Sequence, residues 1–370
     1  MIRKIIFLFA AILFSKPSSS QIDSVPRFSY NAYIDAYYAF YSDSVGTDNF
    51  QQFPTVSPRN NQIGLNIAQL TVQYDGEKIR GLATFQYGDI PRSSWPANFN
   101  NIQEAHAGLR ICKKLWLDAG FFRTHVGTEG LLPKENIASS IAVHTWYEPY
   151  IESGIRLNYN ANEKLTINLY ALNGYNIFED NNEKKSFGVL VSYALGDKGN
   201  IGYTNYTGDD TPTQPDSVKS LSHLRIHNCI FFNYQYHKLK IQAGGDYCMQ
   251  ENSGIDQATG IPDSSTASVT SGILSLKLQA SEKIAAYIRG EYFNDPSGFM
   301  SGVILDKKNK YTGYSVSGAT IGFEYKPTPD SYVRLEARQL QMENNQEIFN
   351  SDGKPSSSRL EALLNIGISF

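Results

Sequence analysis

The chain has 370 residues, 41% hydrophobic, 13% aromatic and 19% charged, with a net charge of −3. Its 24 tyrosines and 20 phenylalanines exclude a disordered chain, and the charge balance lacks the basic excess of a nucleic-acid binder. Three cysteines are too few for a disulfide scaffold or a four-cysteine metal site, and no run of about 18 apolar residues is present to cross a bilayer as a helix.

The first element is an export leader. Arg3-Lys4 precedes the apolar run Ile5–Phe14, and Pro17 and Ser18-Ser19-Ser20 follow. A positive segment, an apolar stretch and a small-residue exit make a secretory signal over residues 1–20, with cleavage before Gln21. Arg3, Lys4 and Lys16 are the only charges in it, so the remainder, read as one domain over 21–370, carries −6.

From Arg27 onward one pattern repeats. In the first run Phe28, Tyr30, Ala32, Ile34, Ala36, Tyr38 and Phe40 alternate with Ser29, Asn31 and Asp35. This is the two-residue period of a strand with unlike faces. The runs, in chain order, are Phe28–Ser42, Asn61–Tyr74, Ile79–Ile90, Asn101–Ile111, Leu115–Gly127, Tyr150–Asn160, Leu165–Asn176, Lys185–Ala194, Asn200–Gly208, His223–Tyr236, Leu239–Gln250, Ala267–Gln279, Ile284–Asn294, Thr312–Lys326, Tyr332–Met342 and Arg359–Phe370, sixteen in all. In the second run the apolar phase passes from Ile63, Leu65 and Ile67 to Ala68, Leu70 and Val72, as a β-bulge would cause. The connections alternate between short and long, and the long ones are rich in Ser, Asn, Asp, Gly and Pro. Many runs end in an aromatic: Tyr30, Tyr38, Phe40, Tyr74, Tyr87, Trp116, Tyr159, Tyr193, Tyr236, Tyr292, Tyr325, Tyr332 and Phe370.

Strands of about ten residues are long enough to cross a hydrocarbon core, where the backbone must be fully paired. The pattern therefore predicts an all-β fold, a single transmembrane antiparallel up-and-down barrel of about sixteen strands. Its short turns would be periplasmic and its long loops extracellular. The aromatic ends would form the interfacial girdles. A secreted soluble β protein is the rival, disfavoured by strand length and by the charges that would fall on its core face.

The inward phase holds Asp35, Arg80, Glu104, His106, Arg110, Asp118, Glu152, Arg156, Lys185, Arg225, Lys240, Asp246, Arg289, Glu291, Arg334, Glu336 and Arg338. These are the candidate pore-lining charges. Arg289, Arg334 and Arg338 make the last strands basic, which would favour anions. Opposite charges that pair between strands would instead only stiffen the wall.

The segments Tyr33-Ile34-Asp35-Ala36-Tyr37-Tyr38, Trp116 to Glu129, Glu148 to Arg156, Asn173-Gly174-Tyr175-Asn176 and Arg289-Gly290-Glu291-Tyr292-Phe293 resemble the OmpL-like β-barrel porin family of Gram-negative outer membranes. The mature start resembles exported proteins of Bacteroidetes. The resemblance spans the mature chain and is strongest between Trp116 and Arg156. It implies an outer-membrane channel passing small hydrophilic solutes or ions, and it brings no catalytic or ligand residues. Phe370, closing an alternating strand, resembles the signal read by the barrel assembly machinery. The implied partners are outer-membrane lipid, that machinery, the solutes and further copies of the chain. No cofactor, metal or nucleic acid is expected.

In general porins that this architecture resembles, the third long loop often folds inward as a constriction. Here it is Thr128–Pro149, 22 residues. Glu129, Lys134 and Glu135 are expected at the constriction; the alternative is a cap over the mouth. A closed barrel acting as adhesin or anchor, and a substrate-specific channel, are the other functional readings. A lipid-cleaving Ser/His enzyme would need a rim histidine, for which His125, in the apolar phase, is the candidate. His223 and His227 lie about 13 Å apart along a strand, too far for one metal. Cys229 and Cys248 fall directly opposite each other if Lys238 and Leu239 form the hairpin loop, which admits a disulfide. A register displaced by two residues puts them on the diagonal, beyond a relaxed bridge. Cys112 has no partner.

Overall fold

The computed structural model describes residues 27–370 apart from 44, 46–48, 214–220 and 345. The leader assigned to residues 1–20 lies outside the described residues. Sixteen strands form one closed antiparallel barrel, each paired to its sequence neighbours. They are β1 (Arg27–Tyr41), β2 (Gln62–Asp75), β3 (Ile79–Tyr87), β4 (Ile102–Cys112), β5 (Leu115–Arg123), β6 (Ile151–Asn160), β7 (Leu165–Leu172), β8 (Ser186–Ala194), β9 (Gly199–Asp209), β10 (Leu224–Tyr236), β11 (Leu239–Gln250), β12 (Ala267–Gln279), β13 (Ile284–Asn294), β14 (Ser315–Tyr325), β15 (Ser331–Met342) and β16 (Ser358–Ser369). Closure is made by β1 on β16, in register from Tyr33↔Ser369 to Tyr41↔Glu361. Beyond β16, Phe370 and Ala32 exchange backbone hydrogen bonds of 2.7 and 3.0 Å, so the terminal residue is part of the seam.

The two faces follow the alternation. Ile288, Ile321, Leu335 and Ile366 point outward and are exposed in the isolated chain, as a lipid-facing wall requires. Tyr87, Tyr159, Tyr193, Tyr236, Tyr292 and Phe370 are exposed at strand ends. Trp116 and Tyr332 differ from the expected girdle. Both are buried and inward, Trp116 under the Arg80 guanidinium at 4.5 Å and Tyr332 under that of Arg334 at 4.5 Å.

The phase slip in β2 is a bulge. Asp35 pairs with Ile67 and Ala36 with Leu65, leaving Asn66 extra. The bulge turns Asn66 inward, where its Nδ2 donates to Asp35 Oδ1 at 2.6 Å and its Oδ1 accepts from Ser57 N at 2.6 Å. β3 stops earlier than the alternation suggested. Gly88 takes φ 141° against the Asn66 backbone, a place where a Cβ would collide, and the chain enters the short helix α1 (Asp89–Ser94). β7 likewise ends at Leu172, four residues before the expected end.

Packing inside the barrel comes from loops. Tyr33, Ile67 and Ile151 of the wall bury against Val56, Ile90, Leu131, Leu132 and Phe178 from four different connections. A second cluster joins Phe53, Val143, Phe349 and Tyr314 to Val269, Phe293, Leu340 and Met342. The apolar core therefore lies in the long-loop half of the lumen.

Candidate pore and constriction

The third long loop, L3 (residues 124–150), enters the lumen and crosses it. It leaves β5 beside β8 and β9, where His125 Nδ1 meets Glu152 Oε1 at 2.5 Å and Nε2 meets the Asn205 carbonyl at 2.8 Å. His125 is buried and points inward, away from the lipid face, so the apolar phase assigned to it from sequence does not hold. At β10 and β11, Gln242 Nε2 donates to the Thr128 carbonyl at 3.1 Å. Gly244 faces the Thr128 side chain so closely that any Cβ there would overlap it.

L3 then seats on β13 and β15. A nonhelical backbone in a dry site must find partners for its N–H and C=O groups, and the wall supplies them with charged side chains. Ser139 N and Ser140 N donate to the Glu336 carboxylate at 2.7 and 3.1 Å, and Ser140 Oγ donates to it as well. Val143 N donates to Glu291 at 2.7 Å, and Ala142 N to L3's own Glu129 at 2.7 Å. The carbonyls are served by arginines. Arg289 donates to Ser140 O at 2.6 Å, and Arg334 to Pro133 O at 2.7 Å and to Ala138 O and Asn136 O at 3.3 Å. The loop ends in the short helix α2 (Val143–Tyr147).

The charges behind this seat are paired in turn. Glu291 lies between Arg289 at 3.3 Å and Arg338 at 2.8 Å; Arg338 continues to Glu361 at 3.3 Å, and Glu324 holds Arg334 at 2.7 Å. Arg289, Arg334 and Arg338 are only 2%, 3% and 1% exposed, so no solute reaches them. The basic character expected from the last strands is spent on L3 and on neighbouring glutamates.

The wall of β3 to β6 is arranged differently. Asp118 is fully buried and shared by two arginines, Arg80 at 2.5–2.7 Å and Arg156 at 3.0–3.1 Å. Both arginine side chains keep more than a fifth of their surface open, 23% and 21%. Arg110 is exposed beside them, over the Trp116 ring at 5.1 Å. On this wall three guanidiniums stand with two inward carboxylates, buried Asp118 and half-buried Glu104. A cavity of about 390 Å³ lies between this wall and L3, lined among others by Glu104, Arg123, Arg156, Tyr170 and Phe231.

The remaining sequence candidates fall elsewhere. Asp35 sits at the barrel seam, held by Tyr332 Oη at 2.5 Å, Asn66 and Asn365. Glu152 is committed to His125. Arg225 lies near the long-loop mouth over the Tyr175 ring at 4.5 Å, with Nε donating to Gln250 Oε1 at 2.8 Å. Lys185 precedes β8 and pairs with Asp180 in the connection outside the lumen. Of the three L3 charges, Glu129 is buried on Arg289 at 3.1 Å. Glu135 pairs with Arg123 at 2.5 Å and stays partly open. Lys134 lies 4.2 Å over the Tyr33 ring, and burial holds its ammonium below its usual value.

The hairpin between β10 and β11 corrects one register. The loop residues are His237, at φ 50°, and Lys238, so Tyr236 pairs with Leu239. Cys229 then faces Asp246 and Cys248 faces His227; the cysteines are diagonal and free, and the disulfide is not formed. The same register, with α2, gathers His144, Glu148, Asp246 and His227. These come from two strands and a loop, and no sequence spacing announced them.

Across residues 27–370 the chain matches the family model "Putative beta-barrel porin-2, OmpL-like". No curated protein matches it by sequence. Among solved structures it is similar to the outer-membrane channel DcaP of Acinetobacter baumannii, with TM-score 0.60 and 10% identity over 96% of this chain and 100% of that one. It is similar to the anion-selective porin from Comamonas acidovorans, with TM-score 0.61 and 9% identity over 94% and 100%. The trimer form of OmpT, an outer-membrane protein of Vibrio cholerae, gives TM-score 0.58 and 9% identity over 94% and 100%. At these identities the structures share the fold. The match of the family model to nearly the whole chain shows more: the chain belongs to the OmpL-like β-barrel porin family and is a porin of the bacterial outer membrane.

Proposed function

We propose that the barrel passes small hydrophilic solutes by diffusion along the face of L3 that looks toward β3–β6, with a preference for anions. The observation that carries this is the Arg80–Asp118–Arg156 triad with Arg110. It is the part of the wall where partly exposed cations outnumber acids beside a cavity. A fixed positive field in a narrow aqueous space raises the local anion concentration. Glu135 of L3 and Arg123 at the end of β5 supply a charge pair facing the same space. No covalent chemistry is assigned. His125, the candidate for a lipid-cleaving site, is spent on Glu152 and a backbone carbonyl. The leader at 1–20, delivery by the barrel assembly machinery through Phe370, and self-association like that of the trimeric Vibrio protein complete the proposal.

Single-channel recording in a planar bilayer under a salt gradient tests it. Discrete steps with a reversal potential on the anion side are expected. A barrel that inserts, shown by heat-shifted gel mobility, yet gives no steps would replace diffusion with a barrel closed by its loops. That second reading has its own support, because Phe53 and Val56 of the first long loop are buried inside the mouth as well.

A further inference from the structure

The far end of L3 meets β11 in a buried cluster for which the proposed solute path has no use. His144 and Glu148 are four residues apart across α2 and face the same way, toward Asp246. His144 Nε2 is 3.7 Å from Glu148 Oε1 and 3.7 Å from Asp246 Oδ2, and one donor atom from each residue lies within 4.8 Å of the others. The side chains of His144, Glu148 and Asp246 are 3%, 4% and 4% exposed. Among the described residues, Glu148 Oε1 and His144 Nδ1 have no hydrogen-bond partner. Negative charge is in excess here: Glu129 has Arg289 and Asp246 has His227, but Glu148 has no hydrogen-bonded cation.

We propose that His144, Glu148 and Asp246 bind one divalent transition-metal ion, of the zinc or manganese class, that staples the end of L3 to the barrel wall. One imidazole and two carboxylates are the donor set such ions take. An ion about 2.1 Å from each donor spaces the donors about 3.0–3.5 Å apart, so the two 3.7 Å separations from His144 would close by a few tenths of an ångström, while the carboxylates, within 4.8 Å of each other, would draw together around the ion. One ligand lies in α2, one at its C-cap and the third on β11, so the ion would tie the end of L3 to the barrel wall. His227 Nε2 lies 3.2 Å from the other Asp246 oxygen, and His227 Nδ1 is held by Tyr175 Oη at 3.2 Å, the kind of outer contact that orients a ligating carboxylate. Cys229 and Cys248 flank Asp246, but one is against Thr128 and the other is packed among apolar side chains. The site is therefore assigned nitrogen and oxygen donors. The competing arrangement is a proton shared between Glu148 and Asp246.

The test uses the full chain, expressed with its own leader and without a histidine tag, extracted from outer membranes and stripped with a chelator. Cobalt(II) is the spectroscopic probe. One cobalt per barrel is expected, with visible ligand-field bands that zinc abolishes by displacement. Glu148→Gln and His144→Ala should each weaken binding by at least about tenfold, while Cys229→Ser/Cys248→Ser leaves the bands unchanged. Three results would overturn the site: a heat-shifted, folded barrel that binds neither cobalt nor zinc, unchanged affinity in Glu148→Gln, or thiolate charge-transfer bands lost with the cysteines. The staple's effect on the channel rests on the reading of L3 as the constriction. Zinc should quieten current fluctuations in the native barrel and not in Glu148→Gln. Stoichiometric binding without that change would keep the site and count against the constriction.

Discussion

The two sides of the lumen wall use the same residue types for opposite ends. On β13–β15, Arg289, Arg334 and Arg338 are sealed beneath L3, and on β3–β6, Arg80, Arg110 and Arg156 stay partly open. What differs is whether an unpaired backbone lies on top of them. Under L3, guanidiniums and carboxylates act as hydrogen-bond partners for a loop that has no ladder of its own. On the open side their field reaches solvent. A lumen charge therefore bears on selectivity only where water reaches it, and the inward phase of a strand does not reveal which case applies.

Removing the loop is the harshest way to break this division. Deleting Ile137–Val143 takes away the segment seated on Glu336, Arg289 and Glu291. Single-channel conductance is expected to rise several-fold, and the newly wetted wall to take part in selectivity. Unchanged conductance would mean that L3 is not the constriction.

A pair of single substitutions sharpens the division next. Arg289→Met leaves buried Glu129 without its arginine and Glu291 with one of two, a loss of about 3–5 kcal/mol for a broken buried pair. Arg80→Met leaves buried Asp118 still held by Arg156 and removes an arginine that is partly open to water, a smaller loss of about 1 kcal/mol. Urea midpoints in detergent, read by gel mobility, would order the two. Equal midpoints would refute the claim that the two walls differ.

Much of the barrel was legible because its physics is local. Lipid outside and water inside impose a two-residue period, so Phe28–Phe40 and Leu360–Phe370 declare their faces, and the slip after Ile67 announces the bulge at Asn66. The strand ends were less legible, since Gly88 stops β3 through contact with a neighbouring strand. The site was half legible. Phase placed Arg80, Asp118, Arg156, Arg289, Glu336 and Arg338 inward, but the path of L3, which separates open from sealed, is a nonlocal packing outcome with no period to read. The Cys229–Cys248 register failed by two residues because one hairpin position, His237 instead of Lys238 as first loop residue, moves every pair along β10 and β11. The cluster of His144, Glu148 and Asp246 was illegible because two of its members ride on L3.

The smallest effects probe the open wall alone. Replacing Arg80, Asp118 and Arg156 together by Gln, Asn and Gln keeps hydrogen-bonding groups of similar size and removes one net positive charge. The reversal potential in a salt gradient should move toward zero, with conductance little changed. Arg334→Gln, equally basic by sequence but sealed, should leave it in place. Arg110→Gln gives the least, because Arg110 stands near the short-turn end in contact with bulk electrolyte. At about 0.15 M salt its field is screened within about 8 Å. Its shift should therefore emerge only when the gradient is set at about 0.01 M, where screening extends to about 30 Å. A shift of equal size at both salt levels would place Arg110 in the narrow part of the path, and the boundary between open wall and constriction would have to be redrawn toward the short turns.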